Sequence, residues 1–138
     1  MKILLIEDEN AAARRLEKLV KEVAPDSIII GRLDSVESTL AWLQANPQPD
    51  LILLDIHLAD GSSFEIFEHM KVKSPVIFTT AYDEYALRAF KVNAVDYLLK
   101  PIKTNELAEA IEKYKRVFEE RPHDYAGLLK TLRQQEGS

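Results

Sequence analysis

Residues 51–55 have the sequence LILLD, four consecutive apolar residues that end in a single acid. Comparable short apolar runs occur at residues 3–6, 28–30, 76–78 and 95–99. None of these runs alternates regularly between apolar and polar residues, as a strand with one solvent-exposed face would. Continuous apolar runs of this length are typical of strands that are buried on both faces, as in a parallel sheet.

The segments between the runs have the three- and four-residue spacing of amphipathic helices, with Ser35 and Asp83 as candidate N-caps of the second and fourth. The order is therefore a strand followed by a helix, repeated five times. Because crossovers between parallel strands are right-handed, this order predicts an α/β fold with helices on both faces of a five-stranded parallel sheet. The doubly wound, flavodoxin-like strand order 2-1-3-4-5 is the common solution, and it places a ligand crevice at the carboxyl ends of the strands.

The composition limits the classes of function. A formal net charge of −5 argues against nucleic-acid binding by this segment. The absence of cysteine excludes disulfides and thiolate metal sites. The apolar run at residues 3–6 is too short for a signal peptide or a membrane span, so we expect a cytoplasmic protein that does not bind membranes.

The 138-residue chain has the size of one compact domain, which we expect to comprise residues 1–120. Residues 121–138 are mostly polar and contain Pro122. We expect them to form a linker, or the start of a helical connector to an output domain that follows residue 138. If no such domain follows, a stand-alone switch becomes the better interpretation.

Polar side chains follow four of the five runs, where the strands are predicted to end. They are Glu7 and Asp8 after the first run, Asp55 after the third, Thr79 and Thr80 after the fourth, and Lys100 after the fifth. In the order 2-1-3-4-5 these four strands are neighbours, so the groups converge. Three carboxylates so close together favour a bound cation, and an all-oxygen ligand set suits Mg²⁺. With an ammonium and a hydroxyl beside it, the set contains the groups needed for phosphoryl transfer onto Asp55.

Four motifs in this order resemble the receiver domain of bacterial two-component response regulators. They are the segments 6–8, 53–61, 78–81 and 97–101. The segments 79–90 and 94–101 resemble, more narrowly, receivers attached to LytTR-type (LytR/AlgR-like) DNA-binding domains.

The resemblance implies that Asp55 is the phosphoacceptor and that Lys100 contacts the phosphoryl group. It implies an Mg²⁺ ion held by Glu7, Asp8, Asp55 and the main-chain carbonyl of His57. Many receivers have aspartate where this chain has Glu7, which would reach the metal directly or through water.

The same resemblance assigns roles around the phosphoryl group. Thr80 would be the switch hydroxyl, with Ala81 directly after it in the phosphate-binding set, and Tyr97 the aromatic residue that turns inward with Thr80. His57 and Tyr82 would border the path of the hydrolytic water and tune the phosphate lifetime. Pro101 would follow a cis peptide bond, which costs little at proline.

These inferences predict a phosphoacceptor switch rather than an enzyme. Its phosphoryl donor would be a sensor histidine kinase. Activation would promote homodimerisation through the fourth helix, fifth strand and fifth helix, because Tyr85, Phe90 and Tyr97 flank that surface. DNA would be bound by the missing output domain.

Three alternatives have specific requirements. A phosphatase with an aspartate nucleophile would need a second acid two residues after Asp55, where the chain has His57. A flavin site of the flavodoxin type would need a Ser/Thr/Gly-rich phosphate loop where residues 7–9 are acidic. A degenerate receiver that acts only by binding proteins would lack Asp55, Thr80 or Lys100. For the acidic run at residues 7–9, taken alone, a simpler role at the N-terminus of the first helix also stays open.

Overall fold

The computed structural model describes residues 1–82, 86–92 and 94–119. The strands are β1 (Lys2–Ile6), β2 (Ile28–Leu33), β3 (Leu51–Asp55), β4 (His57–Leu58), β5 (Gly61–Ser62), β6 (Val76–Thr80) and β7 (Asp96–Leu99). The helices are α1 (Asn10–Val23), α2 (Val36–Ala45), α3 (Phe64–His69), α4 (Ala86–Lys91) and α5 (Thr104–Tyr114), and a π-helical segment, Lys115–Glu119, continues α5. Among these helices, none has the length and apolar character needed to cross a membrane.

Some predictions fall on other parts of the chain. The predicted cap Asp83, the aromatic residue Tyr85 and the predicted linker at residues 121–138 lie outside the described residues, so the expectations about them stay predictions. The same holds for the side chain of Phe90.

Five strands form one parallel sheet in the order β2-β1-β3-β6-β7. Strands β6 and β7 are therefore the fourth and fifth strands of the prediction, and the predicted fold class and strand order are confirmed. The two remaining strands, β4 and β5, form a separate antiparallel hairpin that the sequence did not predict. A strand of two residues is too short to produce a periodic pattern.

The side chains of the inner strands alternate between two apolar cores, one on each face of the sheet. Leu51 and Leu53 pack with α1 and α5 on one face, which we call the α1/α5 face. Ile52 and Leu54 pack with α2, α3 and α4 on the other, the α2/α3/α4 face. This burial on both sides explains why the inner strands contain continuous apolar runs.

The N-terminus of α2 is fixed by two side chains. The predicted cap Ser35 accepts a hydrogen bond from the N–H of Ser38 at 3.0 Å, which confirms it. Asp60 accepts hydrogen bonds from the N–H groups of Val36 at 2.7 Å and Glu37 at 3.0 Å. These backbone hydrogen bonds lower the pKa of Asp60. They also tie the loop after β3 to α2, beside the carboxyl end of the sheet.

The central strand β3 allows a test of the core. Leu53 is fully buried on the α1/α5 face. We expect Leu53→Ala to lower the free energy of unfolding by about 2–5 kcal/mol, because it removes buried methyl groups and leaves a cavity. Chemical denaturation measures the change.

Ile28 provides the matched control, since it is 60% exposed at the start of the edge strand β2. Ile28→Ala should cost no more than about 1 kcal/mol. Equal losses for the two variants would contradict the described core.

Candidate functional site

The carboxyl ends of β1, β3 and β7 bring three charged side chains into contact. Lys100 Nζ lies 2.6 Å from Oε1 of Glu7 and 3.1 Å from Oδ2 of Asp55. Glu7 and Asp55 are both only 4% exposed. The parallel register explains their proximity: Ile6 of β1 pairs with Leu54 of β3, so the residues that follow them are neighbours.

A cluster of three carboxylates surrounds this contact. Glu7, Asp8 and Asp55 each offer one oxygen atom, and the three oxygens lie within 4.8 Å of one another. Asp8 is exposed, so the cluster is open to solvent on one side. A small set of hard oxygen donors is what Mg²⁺ uses in proteins, with waters and phosphate oxygens completing its octahedron. The residues present therefore fit a divalent cation of this kind.

The electrostatics of the cluster favour such a cation. Burial raises the pKa of Asp55 from its ordinary value of 3.8 to about 7, and the Glu7 carboxylate adds to the rise while Lys100 opposes it. Burial also raises the pKa of Asp8, with Glu7 as the second cause. Burial works against the charge of Glu7 too, but hydrogen bonds from Lys100 and Asp55 lower its pKa. Asp55 is therefore the group whose charge is most disfavoured, and a bound cation would relieve it.

Lys100 is held by neighbouring elements as well as by the carboxylates. Burial disfavours its charge, yet its bonds to Glu7 and Asp55 outweigh burial and raise its pKa. Its N–H donates to the carbonyl of Thr80 at 2.7 Å, and its peptide bond to Pro101 is cis. The ammonium is therefore fixed in its charged form at the end of the sheet.

Tyr82 connects the residues that the sequence assigned to switching. Its N–H donates to Oγ1 of Thr80 at 3.3 Å, and its carbonyl accepts a hydrogen bond from the hydroxyl of Tyr97. Its ring packs edge-to-face against His57, with ring centroids 5.1 Å apart. Ala81, between Thr80 and Tyr82, is exposed. The structure thus brings these residues together beside the carboxylate cluster, in a group that centres on Tyr82.

Comparison with known proteins gives the family. Residues 3–112 match the family model of the response regulator receiver domain. The chain belongs to this family. The receiver is 42% identical over 119 residues to the sensory transduction protein LytT of Bacillus anthracis, which covers 84% of this chain and 48% of LytT. It is 38% identical over 116 residues to the transcriptional regulatory protein LytR of Staphylococcus aureus, which covers 82% of this chain and 46% of LytR.

These relatives confirm the resemblance predicted from the sequence, including its narrower form. The receiver spans about half the length of the curated relatives it matches. Among solved structures, it superposes on the response regulatory domain of protein mrkE from Klebsiella pneumoniae with a TM-score of 0.77 and 30% identity. That match covers 86% of this chain and 98% of the mrkE domain.

Two contacts of the receiver were not predicted from the sequence. Arg15 of α1 donates to the carbonyl of Ile102 at 2.7 Å and holds the loop between β7 and α5. Asp60 binds the N-terminus of α2, as described above. In each case the partners are distant along the chain and share no motif, so only the folded topology reveals the contact.

The raised pKa of Asp55 predicts a gain in stability from removing its charge. In metal-free protein, Asp55→Asn should raise the free energy of unfolding by roughly 1–3 kcal/mol near neutral pH, because a neutral amide avoids the cost of burying a carboxylate beside Glu7. Denaturation in the presence of EDTA measures the difference.

The pH dependence follows from the same shift. A carboxyl whose pKa rises on folding stabilises the protein below its unfolded pKa and loses that contribution as the pH rises through its folded pKa. The advantage of Asp55→Asn should therefore grow between about pH 4 and pH 7, the ordinary and the folded pKa of Asp55, and level off above. A constant difference, or one that shrinks with rising pH, would contradict the described environment.

Proposed function

We propose that this receiver is a phosphoacceptor switch in which Asp55 accepts a phosphoryl group from the phosphohistidine of a sensor histidine kinase. The observation that carries the proposal is the contact of Lys100 Nζ with both Glu7 and Asp55, inside a cluster of three carboxylates. A buried nucleophilic carboxylate, a cation beside it and an acidic cluster are the requirements for this transfer.

The step is an in-line displacement at phosphorus. A carboxylate oxygen of Asp55 attacks, the new P–O bond forms as the P–N bond to the donor imidazole breaks, and the imidazole leaves with the electron pair of that bond. Lys100, already 3.1 Å from Asp55, pairs with the phosphoryl oxygens as their charge approaches. The domain takes part in its own phosphorylation and dephosphorylation, but it does not turn over an external substrate as an enzyme does.

Glu7, Asp8 and Asp55 would hold an Mg²⁺ ion, together with the main-chain carbonyl of His57. Bound there, the ion would supply neutralisation of the phosphoryl charge. The chain's own contribution is to fix Asp55 at the end of a buried strand and to keep the ammonium of Lys100 beside it.

The switch would act through Thr80 and Tyr97. When Thr80 turns to the phosphoryl group, it would give up the hydrogen bond that it accepts from the N–H of Tyr82. Because the hydroxyl of Tyr97 donates to the carbonyl of Tyr82, the change would reach Tyr97. The phosphoryl group need supply only a few kcal/mol of differential stabilisation to shift a two-state equilibrium. His57 and Tyr82, whose rings are in contact, would border the hydrolytic water and set the phosphate lifetime.

The output of the switch extends beyond this segment. Because the matched relatives are about twice as long and include a transcriptional regulatory protein, we expect a DNA-binding output domain to act with the receiver in the cytoplasm. A stand-alone receiver that switches a protein partner is the alternative. Expressing the full natural reading frame would show whether an output domain accompanies the receiver, and this decides between the two.

Phosphorylation of Asp55 is directly measurable. Incubation with acetyl phosphate and Mg²⁺ should add the mass of one phosphoryl group to the wild type, because Asp55 supplies the attacking oxygen. Intact-mass spectrometry detects the gain, and EDTA should abolish it.

Two variants test the assignment of the acceptor. Asp55→Asn should gain no mass, whereas Asp26→Asn, a change at an exposed aspartate outside the cluster, should gain mass as the wild type does. A gain by Asp55→Asn equal to that of the wild type would overturn the proposal. So would a wild type that gains no mass and is not stabilised by beryllofluoride.

Activation should also promote a homodimer through α4, β7 and α5. Strand β7 lies at the edge of the sheet, and Leu99 on it is 43% exposed, so the surface offers an apolar contact. Sedimentation velocity should show a monomer without beryllofluoride and a dimer with it and Mg²⁺.

The contact is tested by a charge placed on each edge of the sheet. Leu99→Lys should weaken the dimer at least tenfold, whereas Ile28→Lys on the opposite edge strand β2 should leave it unchanged. A receiver that stays monomeric with bound beryllofluoride, or equal effects of the two variants, would refute this surface.

A further inference from the structure

The hydroxyl of Thr79 is buried without a visible role. Thr79 is 1% exposed, and its Oγ1 has no hydrogen-bond partner among the described residues. Burying an unpaired hydroxyl is unfavourable, and such groups in native proteins call for a specific explanation. Two other buried threonines show the usual arrangement: Thr39 donates to the carbonyl of Ser35 at 2.7 Å, and Thr80 accepts from the N–H of Tyr82.

The sheet register places Thr79 beside the phosphoacceptor. Thr79 of β6 is the direct partner of Asp55 of β3. Neighbouring strands lie about 5 Å apart, and residues two positions apart on a strand share a face. Leu53 and Ile77, two residues before Asp55 and Thr79, both pack into the core of the α1/α5 face. The side chains of Thr79 and Asp55 are therefore lateral neighbours on that face.

The side chain of Lys100 extends past the carboxyl end of β6. Strand β6 lies between β7, which Lys100 follows, and β3, which ends in Asp55. To reach Asp55 and Glu7, the side chain of Lys100 must cross the carboxyl end of β6, where Thr79 lies. Thr79 therefore lies on the strand between the one that precedes Lys100 and the one that ends in Asp55.

We propose that Thr79 is a positioning residue whose hydroxyl donates a hydrogen bond to the side chain of Asp55 only when Asp55 carries its phosphoryl group. This inference rests on the proposed function of Asp55. A rotation about the Cα–Cβ bond of Thr79, between staggered rotamers, turns Oγ1 toward β3 without moving the backbone. Since the bond exists in one state and not in the other, it adds to the differential stabilisation that shifts the switch. Its role differs from that of Thr80, which acts on the α2/α3/α4 face through Tyr82.

Replacement by valine separates the two states, because valine has nearly the same shape but no hydroxyl. In free protein, Thr79→Val should raise the melting temperature by about 2–6 °C, since it removes an unpaired buried polar atom. Thr39→Val is the matched control: it removes a hydroxyl that is bonded in the free state and should lower the melting temperature.

Beryllofluoride with Mg²⁺ probes the other state. The concentration that gives half-maximal thermal stabilisation should rise about three- to tenfold in Thr79→Val, the change expected for the loss of one hydrogen bond. It should stay within about twofold of wild type in Thr79→Ser, which keeps the hydroxyl, and in Thr39→Val, which lies outside the site. A more stable free protein with weaker beryllofluoride binding is a combination that a purely structural residue would not give.

Two results would overturn the inference alone. One is a Thr79→Val variant that binds beryllofluoride as the wild type does. The other is a Thr79→Val variant that is less stable in its free form, because the hydroxyl would then already be bonded there. If the wild type neither binds beryllofluoride nor gains a phosphoryl group, the proposed function fails and this inference fails with it.

Discussion

The candidate site is organised around one electrostatic contact, the ammonium of Lys100 between the buried carboxylates of Glu7 and Asp55. Burying a charge is unfavourable unless it is paired, and here one cation faces two carboxylates that are almost completely inaccessible to solvent. With Asp8 close by, the cluster retains a negative excess. The three strands that bring these groups together are stabilised by apolar burial elsewhere, so the fold can sustain a site that is electrostatically unfavourable on its own. Under the proposed function, an imbalance of this kind would make the site responsive to a cation or to an incoming phosphoryl group.

The residues of the candidate site are distributed over both faces of the sheet. Glu7, Asp55 and Thr79 follow core residues of the α1/α5 face at two-residue spacing, whereas Thr80 alternates to the α2/α3/α4 face, where Tyr97 also packs. The backbone joins the two faces, because the N–H of Lys100 binds the carbonyl of Thr80. Under the proposed function, a change in what Lys100 contacts would therefore reach the end of β6, from which Thr80 and Tyr82 extend.

Much of this arrangement could be predicted from the sequence. Strands buried on both faces produce unbroken apolar runs, and the carboxyl ends of neighbouring parallel strands must meet, so the placement of Asp55 next to Glu7 follows from residue order alone. Contacts that depend on side-chain direction could not be predicted. Asp60 binds backbone groups of α2 that lie 24 and 23 residues away, and a short loop carries no pattern that encodes this. The missing partner of Thr79 is equally invisible in the sequence, because adjacent threonines differ only in the face to which they point.

The hydrogen bonds of Glu7 bear on how the site would accommodate a cation. Both of its carboxylate oxygens are engaged in the free protein: Oε1 binds Lys100 at 2.6 Å, and Oε2 accepts the N–H of Glu9 at 3.1 Å. Glu7 and Asp55, if they held a cation, would have less of their lone-pair capacity left for Lys100. Under the proposed function, Glu7 would therefore hold the ammonium of Lys100 less tightly when a cation is bound. Lys100 would then be available to the phosphoryl oxygens. Under the proposed function, metal binding and the release of Lys100 would therefore be coupled through the carboxylate of Glu7.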